Sequence, residues 1–400
     1  MSTASARNWG EVVFDEIIED SAFGPRFSGD AYDENGNIAT LRTTDISEDG
    51  QISYKTMPLA QLDEASFAKH FLKINDLVIT RSGRVGTTAL FTGYHLPVLP
   101  GAFLIRFRLS DKANPDFYRY WFNSRVGQQR LSSVSRGAAQ QNINITNVKT
   151  LQVPLPPLPV QSRIASILSA YDDLIENNRR RILLLEQAAR LLYKEWFVHL
   201  RFPGHEHTKI HNGIPEGWEK KNLFDVATLT YGFSFKSTLF NEQDDGLPVA
   251  RIRDIPPGES KTYTREDAPK DKLLKDGDFV VGMDGDFHMN FWTGGMAWIN
   301  QRVVKIAGEK ELSTAYLRYA CEKQIKDFNA TIVGTTVAHL GAKHLKLIEV
   351  LVPPKSILHE IQSILDAIQC QIVLLSNQSK HAAKARDLLL PRLMSGEVAV

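Results

Sequence analysis

The chain has 400 residues, 43% of them hydrophobic, and its 47 lysines and arginines are balanced by 46 aspartates and glutamates. This length predicts two or three domains with sizeable cores. The net charge of +1 excludes binding to nucleic acid through overall charge alone, so any DNA contact must depend on local clusters. With two cysteines, no apolar run of membrane-spanning length and no apolar secretion signal, we expect a soluble, reduced, cytoplasmic protein without membrane contact.

Residues 1–154 are predicted to form a first globule, since short apolar segments rich in β-branched and aromatic residues alternate there with turn-forming residues. Gly101–Leu109 alternates as a strand that places Arg106 and Arg108 on one face. Pro115–Ser135 has a helical pattern, with its proline near the first turn.

A proline-rich segment and one long helical pattern occupy residues 155–200. Because a helix interior needs the backbone N–H that proline lacks, the helix is predicted to begin after Pro159. Apolar residues then recur at alternating steps of four and three, which predicts a coiled-coil seam interrupted by polar Asn178. At about 1.5 Å per residue the helix is on the order of 55 Å long, which suggests a spacer. The seam residues are Ile164, Leu168, Tyr171, Ile175, Asn178, Ile182 and Leu185, followed by Ala189, Leu192 and Trp196.

The same pattern recurs 197 residues later, in residues 352–400. A shared Pro-Pro start and an unbroken register favour an internal repeat over two unrelated amphipathic helices. The two seams are predicted to pair antiparallel, with Asn178, Ser379 and Arg386 fixing the register at some cost in stability. The second helix is predicted to end or kink at Pro391. Its seam residues are Ile361, Leu365, Ile368, Ile372 and Leu375, followed by Ala382, Leu389 and Leu393.

A polar connector, residues 201–217, leads to a second globule, residues 218–351. The connector contains three histidines, which we interpret as solvated rather than metal-binding because no cysteine or second cluster accompanies them. The second globule repeats the first in outline. Leu41–Ile46 aligns with Ala250–Ile255 and matches an arginine and an aspartate in each copy.

No catalytic motif stands out along the chain. Glycine-rich nucleotide loops, nucleophile elbows, zinc-protease motifs and the Asn/Asp-Pro-Pro-Tyr/Phe of amino-methyltransferases are all missing from the sequence. Asp284 and Asp286 lie in one loop and either bind a metal or belong to a shaped loop; the flanking strand and polar neighbours favour the loop. The chain is therefore predicted to be non-catalytic by itself.

Each globule instead offers loops rich in side chains that contact DNA. Arginine forks onto guanine, asparagine and glutamine pair with adenine, and hydroxyl groups suit phosphate. Any one such residue alone is more often an ordinary solvated side chain, but matched positions in two repeats favour DNA binding. In the first globule the candidates are Arg42, Arg81, Ser82, Arg84, Thr87, Arg136, Gln140, Gln141 and Asn142. In the second they are Tyr231, Ser234, Lys236, Arg251, Arg253, Asp284, Asp286, His288, Asn290, Thr335, Thr336 and His339.

Two reading modules joined by a spacer predict recognition of two short DNA sequences with an unread gap between them. Because the loop residues of the two globules differ, the two half-sites are predicted to differ.

Over essentially its whole length the sequence resembles the specificity subunit of Type I restriction–modification systems. The resemblance is carried by VPLPPLPVQSRIASIL and VLVPPKSILHEIQSIL, each preceded by a globule, and by GDFVVGMDGDF with the downstream WTGG and NQRV. The sequence departs from the family's frequent Glu-Gln after the prolines, having Val160-Gln161 and Leu358-His359.

The resemblance implies an α+β fold: two pseudo-repeated α/β target-recognition globules, separated by two long helices packed as an antiparallel coiled coil, in a pseudo-twofold, circular arrangement. It also implies binding of double-stranded DNA, two methyltransferase subunits and restriction subunits. No cofactor is expected on this chain; S-adenosylmethionine, ATP and magnesium are expected in the partner subunits. Two alternatives remain: a scaffold or regulatory relative that no longer reads DNA, and a metal-dependent nuclease using Asp284 and Asp286.

Overall fold

The computed structural model describes residues 9–135, 142–309, 311–331, 339–398 and 400. The chain forms two compact units. The first comprises Met1–Asp173 with Ala382–Val400, and the second comprises Leu174–His381. Each unit therefore contains one predicted globule and a part of both long helices, so the units cross the predicted boundaries between globules and helical segments.

The first unit is built from short strands and helices. Its strands are β1 (Glu11–Val13), β2 (Ile18–Phe23), β3 (Ile38–Leu41), β4 (Leu59–Ala60), β5 (Leu77–Thr80), β6 (Thr88–Leu90), β7 (Val98–Pro100), β8 (Leu104–Leu109) and β9 (Gln152–Pro154). Its helices are α1 (Glu64–Phe67), α2 (Pro115–Asn123), α3 (Arg125–Ser133), α4 (Ile145–Lys149) and the first part of α5 (Leu158–Phe197).

Two sheets and a separate strand pair organise this unit. One sheet is antiparallel with the order β2-β8-β5-β6, and the other has the order β4-β3-β7, in which β3 and β7 are parallel. Strand β1 pairs with β9. Alternate residues of β8 face opposite sides, so Ile105 and Phe107 pack with the aromatic residues of α2, whereas Leu104 packs with the second sheet.

The second unit repeats these parts. Its strands are β10 (Ile210–His211), β11 (Ile214–Pro215), β12 (Glu219–Asn222), β13 (Ala227–Tyr231), β14 (Leu247–Ala250), β15 (Tyr263–Thr264), β16 (Leu273–Leu274), β17 (Phe279–Gly282), β18 (Met289–Phe291), β19 (Ala297–Ile299), β20 (Val303–Gly308) and β21 (Glu349–Val352). Its helices are α6 (Leu223–Val226), α7 (Thr314–Thr331), α8 (Ala342–Leu345) and most of α9 (Lys355–Met394).

The sheet topology confirms the internal repeat. The order β13-β20-β17-β18 corresponds to β2-β8-β5-β6, and the parallel pair β14/β19 corresponds to β3/β7. The pair β12/β21 corresponds to β1/β9, which closes each globule just before its long helix. Strand β16 is an addition on the far side of β19 in the second unit.

Three predicted element boundaries differ from the structure. The first long helix begins at Leu158, so Pro159 lies inside its first turn, where a missing N–H breaks no helical hydrogen bond. The segment Pro115–Ser135 forms two helices, because the Ser124 hydroxyl caps a new helix by accepting from the Gly127 N–H. The second long helix does not end at Pro391 but continues to Met394, and its Leu393 and Met394 are buried in the core; the kink at Pro391 stays a prediction.

The predicted seam is covered along both long helices, which pack together: every residue named for it is buried or half-buried. In the first unit, Ile164 and Leu168 of α5 share a core with Leu393 at the end of α9. In the second, Trp196 near the end of α5 shares a core with Ile361 near the start of α9. The start of each helix thus packs with the end of the other, as an antiparallel pair requires.

A buried carboxylate joins the globule to a long helix in each unit. In the first, Asp172 of α5 accepts from Tyr120 of α2 at 2.5 Å and from Arg386 of α9 at 2.5 Å. In the second, Glu322 of α7 accepts from Arg190 of α5 at 3.1 Å. Both carboxylates are about nine-tenths buried, so these ion pairs are shielded from solvent.

The three residues predicted to fix the helix register behave differently. Arg386 joins the two helices through Asp172. Ser379 donates within its own helix to the Leu375 carbonyl. Asn178 is 1% exposed, and its amide finds no hydrogen-bond partner among the described residues. The role of Asn178 in the register stays a prediction.

Across the described ranges, the search for a helix of sufficient length and apolar character to cross a bilayer found none.

Candidate DNA-binding loops

The predicted reading loop of the first unit connects β5 to β6. Gly83 and Gly86 have φ values of 77° and 90°, a region that other residues rarely adopt. The Gly86 N–H donates to the Thr80 carbonyl at 2.8 Å, and the Thr80 hydroxyl donates to the Arg84 carbonyl. These contacts close a compact loop that holds Arg81 at its base.

Arg81 is held on two sides. Its guanidinium carbon lies 4.6 Å from the centroid of the Phe23 ring, a cation–π contact. Its Nε donates to the Asn142 Oδ1 at 3.2 Å. Two candidates that are 61 positions apart in sequence are thus brought together, and the forked end of the arginine is presented in a fixed orientation.

Two exposed phenylalanines flank Arg81. Phe23 pairs with Ile105 and Thr80 pairs with Leu104, so Phe23, Arg81 and Phe103 lie on one face of the sheet. Phe23 is 37% and Phe103 is 59% exposed. The polar residues of the loops did not point to these two rings. Alignment of the two repeats matches Phe23 with the candidate Tyr231 and would have identified Phe23.

The other loop candidates of the first unit differ from Arg81 in their contacts. Arg84 is half-exposed, and its guanidinium lies 3.3 Å from a Glu48 carboxylate oxygen. Thr87 donates to the Arg84 carbonyl at 3.4 Å, and Ser82 is half-buried.

Arg42 and Arg251 form the same internal ion pair in the two units. The Arg42 side chain donates to both Asp45 oxygens, at 3.0 and 2.9 Å, and Arg251 donates to Asp254 at 2.9 Å. Asp45 is buried, and its hydrogen bond is the main cause that raises the pKa of Arg42. The matched Arg and Asp of the repeat therefore brace a tight turn. The DNA-binding role of both arginines stays a prediction, with Nε and Nη2 of each already engaged.

The predicted reading loop of the second unit follows β17, and its backbone makes the same contact as the first loop. The Arg81 N–H donates to the Phe103 carbonyl at 2.9 Å, and the Met283 N–H donates to the Arg302 carbonyl at 2.9 Å. Arg302 therefore occupies the position of Phe103, and it is exposed. Arg302 was not among the sequence candidates, because the two repeats align by their strands and Arg302 lies in a turn.

The second loop also contacts the segment that corresponds to Asn142. His339 lies 197 positions after Asn142, and its Nδ1 is 2.6 Å from the Asp284 Oδ1. Arg302 Nε lies 3.4 Å from the other Asp284 oxygen. Where the first loop presents an arginine and an amide, the second presents an aspartate between a histidine and an arginine.

The two units share a close backbone approach that needs glycine. A Cβ on Gly24 would lie 2.0 Å from the Gly101 carbonyl oxygen, and one on Gly232 would lie 1.9 Å from the Asn300 carbonyl oxygen. Each glycine directly follows an aromatic residue: Gly24 follows Phe23, and Gly232 follows Tyr231. Burial raises the pKa of the Tyr231 hydroxyl.

The remaining candidates differ in whether the fold already engages their side chains. Asn290 is engaged internally, since its amide donates to the carbonyls of Ile255 and Pro256 at 3.2 and 2.9 Å. His288 lies 3.8 Å from a carboxylate oxygen of Asp286. Exposed side chains are found at Ser234, Lys236, Arg253 and Asp286. Arg136, Gln140, Gln141, Thr335 and Thr336 lie outside the described residues.

Within the part of the chain that the structure describes, no group of three or more His, Cys, Asp or Glu side chains is placed to hold a metal ion. Both oxygens of Asp284 already face His339 and Arg302. These two contacts hold Asp284 in place within the loop.

The long helices carry a second candidate surface. Leu184 and Leu191 are 63% and 62% exposed and lie seven residues apart, so they share one face of α5 away from the seam. Leu388, which corresponds to Leu191 in the repeat, is 63% exposed on α9. Large exposed apolar side chains on a regular helix face are typical of a protein–protein contact.

A model of the Type I restriction modification DNA specificity domain matches residues 7–187 and 215–384. The MjaIX specificity subunit of a Type I restriction enzyme from Methanocaldococcus jannaschii is 25% identical over 304 residues, which is 72% of this chain and 70% of that relative. The EcoBI specificity subunit from Escherichia coli is 34% identical over 182 residues, 45% of this chain and 37% of that relative.

A crystal structure of the S subunit of a Type I restriction–modification system from M. genitalium superposes with a TM-score of 0.63 at 16% identity, covering 98% of both chains. At that identity the superposition establishes the shared fold.

Proposed function

This chain belongs to the Type I restriction–modification DNA specificity family, and we propose that it recognises a bipartite, asymmetric sequence in double-stranded DNA and is a scaffold for methyltransferase and restriction subunits. One observation carries the proposal. Two loops with the same backbone frame, one in each unit, present different side chains at corresponding positions.

In the first unit, Arg81 supplies the direct readout. Its Nε is engaged by Asn142, and its forked end is suited to the O6 and N7 of guanine. The exposed rings of Phe23 and Phe103 on either side suit apolar contacts with bases, such as the thymine methyl group. Together they favour one short, defined base sequence.

In the second unit, an acidic loop supplies different chemistry. Aspartate accepts from the N4 amino group of cytosine, and an exposed arginine pairs with guanine or with phosphate. Asp286 and Arg302 are exposed beside the Asp284–His339 pair. Since these groups are unlike those around Arg81, the two half-sites differ.

The exposed leucines of α5 and α9 support docking of partner subunits. We propose two methyltransferase subunits, which bring S-adenosylmethionine for transfer of a methyl group to adenine, and restriction subunits that use ATP and magnesium. The chain itself supplies recognition and assembly and is non-catalytic. The near-balanced charge agrees with this division, since partner subunits then provide phosphate-binding surface.

Single-molecule methylome sequencing tests the proposal in cells that carry this gene with its methyltransferase partner. We expect a bipartite N6-methyladenine motif that disappears when this gene is deleted. An assembled complex without any motif would favour a scaffold that no longer reads DNA. Metal-dependent cleavage by the purified chain, abolished by Asp284→Ala, would favour the nuclease alternative.

A further inference from the structure

The predicted reading loop of the second unit is the tip of a hairpin, and the base of that hairpin contacts α9. Strands β17 and β18 are antiparallel neighbours, and the loop joins the end of β17 to the start of β18. Asp276 and Gly277 precede β17, and Thr293 follows β18, so all three lie at the opposite end from the loop. We call these three residues the hairpin base.

Two amides of α9 hold the part of the base that precedes β17. The Gln369 side chain donates to the Gly277 carbonyl at 2.5 Å. The Asn377 side chain donates to one Asp276 oxygen at 2.8 Å, and the other Asp276 oxygen accepts from the Gly295 N–H at 2.7 Å. Gly277 has a φ of 89°, and a Cβ there would lie 3.2 Å from the Gln369 amide nitrogen, so glycine permits this close approach.

Lys380 of α9 holds the part of the base that follows β18. Its ammonium group donates to the Thr293 carbonyl at 2.5 Å and to the Thr293 hydroxyl at 3.0 Å, and it lies 3.3 Å from a Glu259 carboxylate oxygen. An ammonium group has three donor hydrogens, and the globule supplies three acceptors for them. Thr293 is itself buried, and its N–H donates to the Gly258 carbonyl at 3.0 Å. Lys380 is therefore bound to an ordered part of the globule.

The same globule is also attached to α9 near the start of the helix. Gln362 accepts from the Ser313 N–H and donates to the Glu311 carbonyl at 2.9 Å, and Leu365 lies in the main core of the unit. Gln362 and Lys380 are 18 positions apart, which is about 27 Å along a helix. Two attachments at this separation fix the tilt of the globule against α9, whereas a single attachment would leave a pivot.

The first unit holds its hairpin base in another way. Ile74, which corresponds to Asp276, is 66% exposed. Thr92 corresponds to Thr293, and its hydroxyl lies 2.8 Å from that of Tyr54, a residue of the same globule. Among the residues that the structure describes, α5 forms no hydrogen bond or ion pair with the base of this hairpin. The attachment of the hairpin base to a long helix thus distinguishes the second unit.

We propose that Gln369, Asn377 and Lys380 are positioning residues for DNA recognition, which hold the second reading loop at a fixed tilt on α9 and so restrict the complex to one gap length. This inference rests on the proposed function, since a gap is defined only when both half-sites are read. Adjacent base pairs of B-DNA are about 3.4 Å apart. A tilt that moves the loop by that distance is therefore enough to admit a gap that is one base pair longer or shorter.

Methylation of plasmids tests this inference, with the full chain in complex with its methyltransferase partner. The plasmids carry the parent motif, or the motif with one base pair added to or removed from its gap. For Asn377→Leu/Lys380→Met, we expect the ratio of methylation at the altered gaps to methylation at the parent gap to rise at least about fivefold, because the hydrogen bonds that oppose a tilt are lost. The bases read in both half-sites should be unchanged.

The matched control is Gln378→Leu/Lys384→Met, which replaces an exposed amide and an exposed lysine of the same helix and should leave the ratio unchanged. Gln369→Leu is a milder change at the hairpin base and should raise the ratio in the same direction. It decides the question if the double variant does not assemble with its partner.

An unchanged ratio in the assembled variants would overturn the inference. Methylation that falls equally at all gap lengths would also overturn it, because a purely structural role predicts that result. Relaxed choice of bases without a relaxed gap would do the same. Absence of any bipartite motif in the parent complex would instead contradict the proposed function, and this inference with it.

Discussion

Arg81, which we propose contacts a base, is restrained within the chain by two contacts. The Phe23 ring and the Asn142 amide restrain it, so less conformational entropy is lost when its fork meets a base. The glycine-flanked loop was sufficient to predict Arg81 as a candidate. The restraints on Arg81 were not predictable, since Phe23 and Asn142 are separated from it by 58 and 61 positions.

Arg81→Lys keeps the charge but removes the fork, and Phe103→Ala removes an exposed ring. Each is expected to reduce methylation at the parent motif about tenfold, the range of a lost base contact of 1–3 kcal/mol. Any base position of the motif that becomes tolerant of other bases should lie in one half-site only. Methylome sequencing measures both effects, with Ile74→Ala, an exposed apolar residue in the same unit, as the control. A changed sequence in both half-sites would contradict the assigned role.

Glu322 illustrates a residue that fastens a globule to a long helix, since it lies on α7 and accepts from Arg190 of α5. Burial alone would raise the pKa of its carboxyl group, but Arg318, Lys326 and Arg190 together hold the pKa below its ordinary value of 4.5. A carboxyl group with a lowered pKa in the folded state stabilises the protein above pH 4.5. That contribution is lost as the pH falls further.

Glu322→Gln should lower the free energy of unfolding by about 3 kcal/mol at neutral pH, because it leaves the buried guanidinium of Arg318 without its carboxylate. Chemical denaturation between pH 7 and pH 3.5 should show this difference shrinking below pH 4.5. Asp327→Asn breaks an exposed pair with Lys323 on the same helix and should change little. A difference that stays constant with pH would mean that the ion pairs do not stabilise the unit.

At the scale of elements, the long helices were predictable because their period and proline boundaries are local signals. The residues at which the two helices begin and end were less predictable. Proline is tolerated at the first turn of a helix, so Pro159 does not set the start of α5. Pro391 costs α9 one backbone hydrogen bond, and burial of Leu393 and Met394 favours the helix beyond it. The break at Ser124 depends on one hydroxyl cap, which the helical pattern conceals.

Two glutamines that were not predicted fasten the long helices to their globules. Gln161 is fully buried; it accepts from the Asn114 N–H at 2.7 Å and donates to the Lys112 and Pro156 carbonyls. In the second unit, Gln362 accepts from the Ser313 N–H and donates to the Glu311 carbonyl. Gln362 lies one helical turn beyond the position that the 197-residue offset gives, so alignment alone missed the pair.

The exposed leucines of α5 give a prediction for assembly. Leu184→Glu with Leu191→Glu should abolish co-purification of the methyltransferase subunit, because two charges then replace the apolar face. Thermal unfolding should be unchanged, since both side chains are more than 60% exposed. Ile74→Glu, at a 66% exposed position in the first unit, is the matched control. Normal co-purification of the double variant would place the partner elsewhere.

At the scale of the whole molecule, the repeat made the architecture predictable, because two copies of one pattern require two copies of one fold. The choice of chain segments that form each compact unit was not predictable in this way. Each unit takes its core from one globule and from segments of both helices, including the chain's last residues. Such long-range packing leaves no local signal in the sequence.

We propose that the two units read DNA independently. Exchange of residues 213–350 for those of a relative, followed by methylome sequencing with the same methyltransferase partner, tests it most directly. We predict a new sequence in one half-site and an unchanged sequence in the other. A change in both half-sites, or in neither, would contradict the claim.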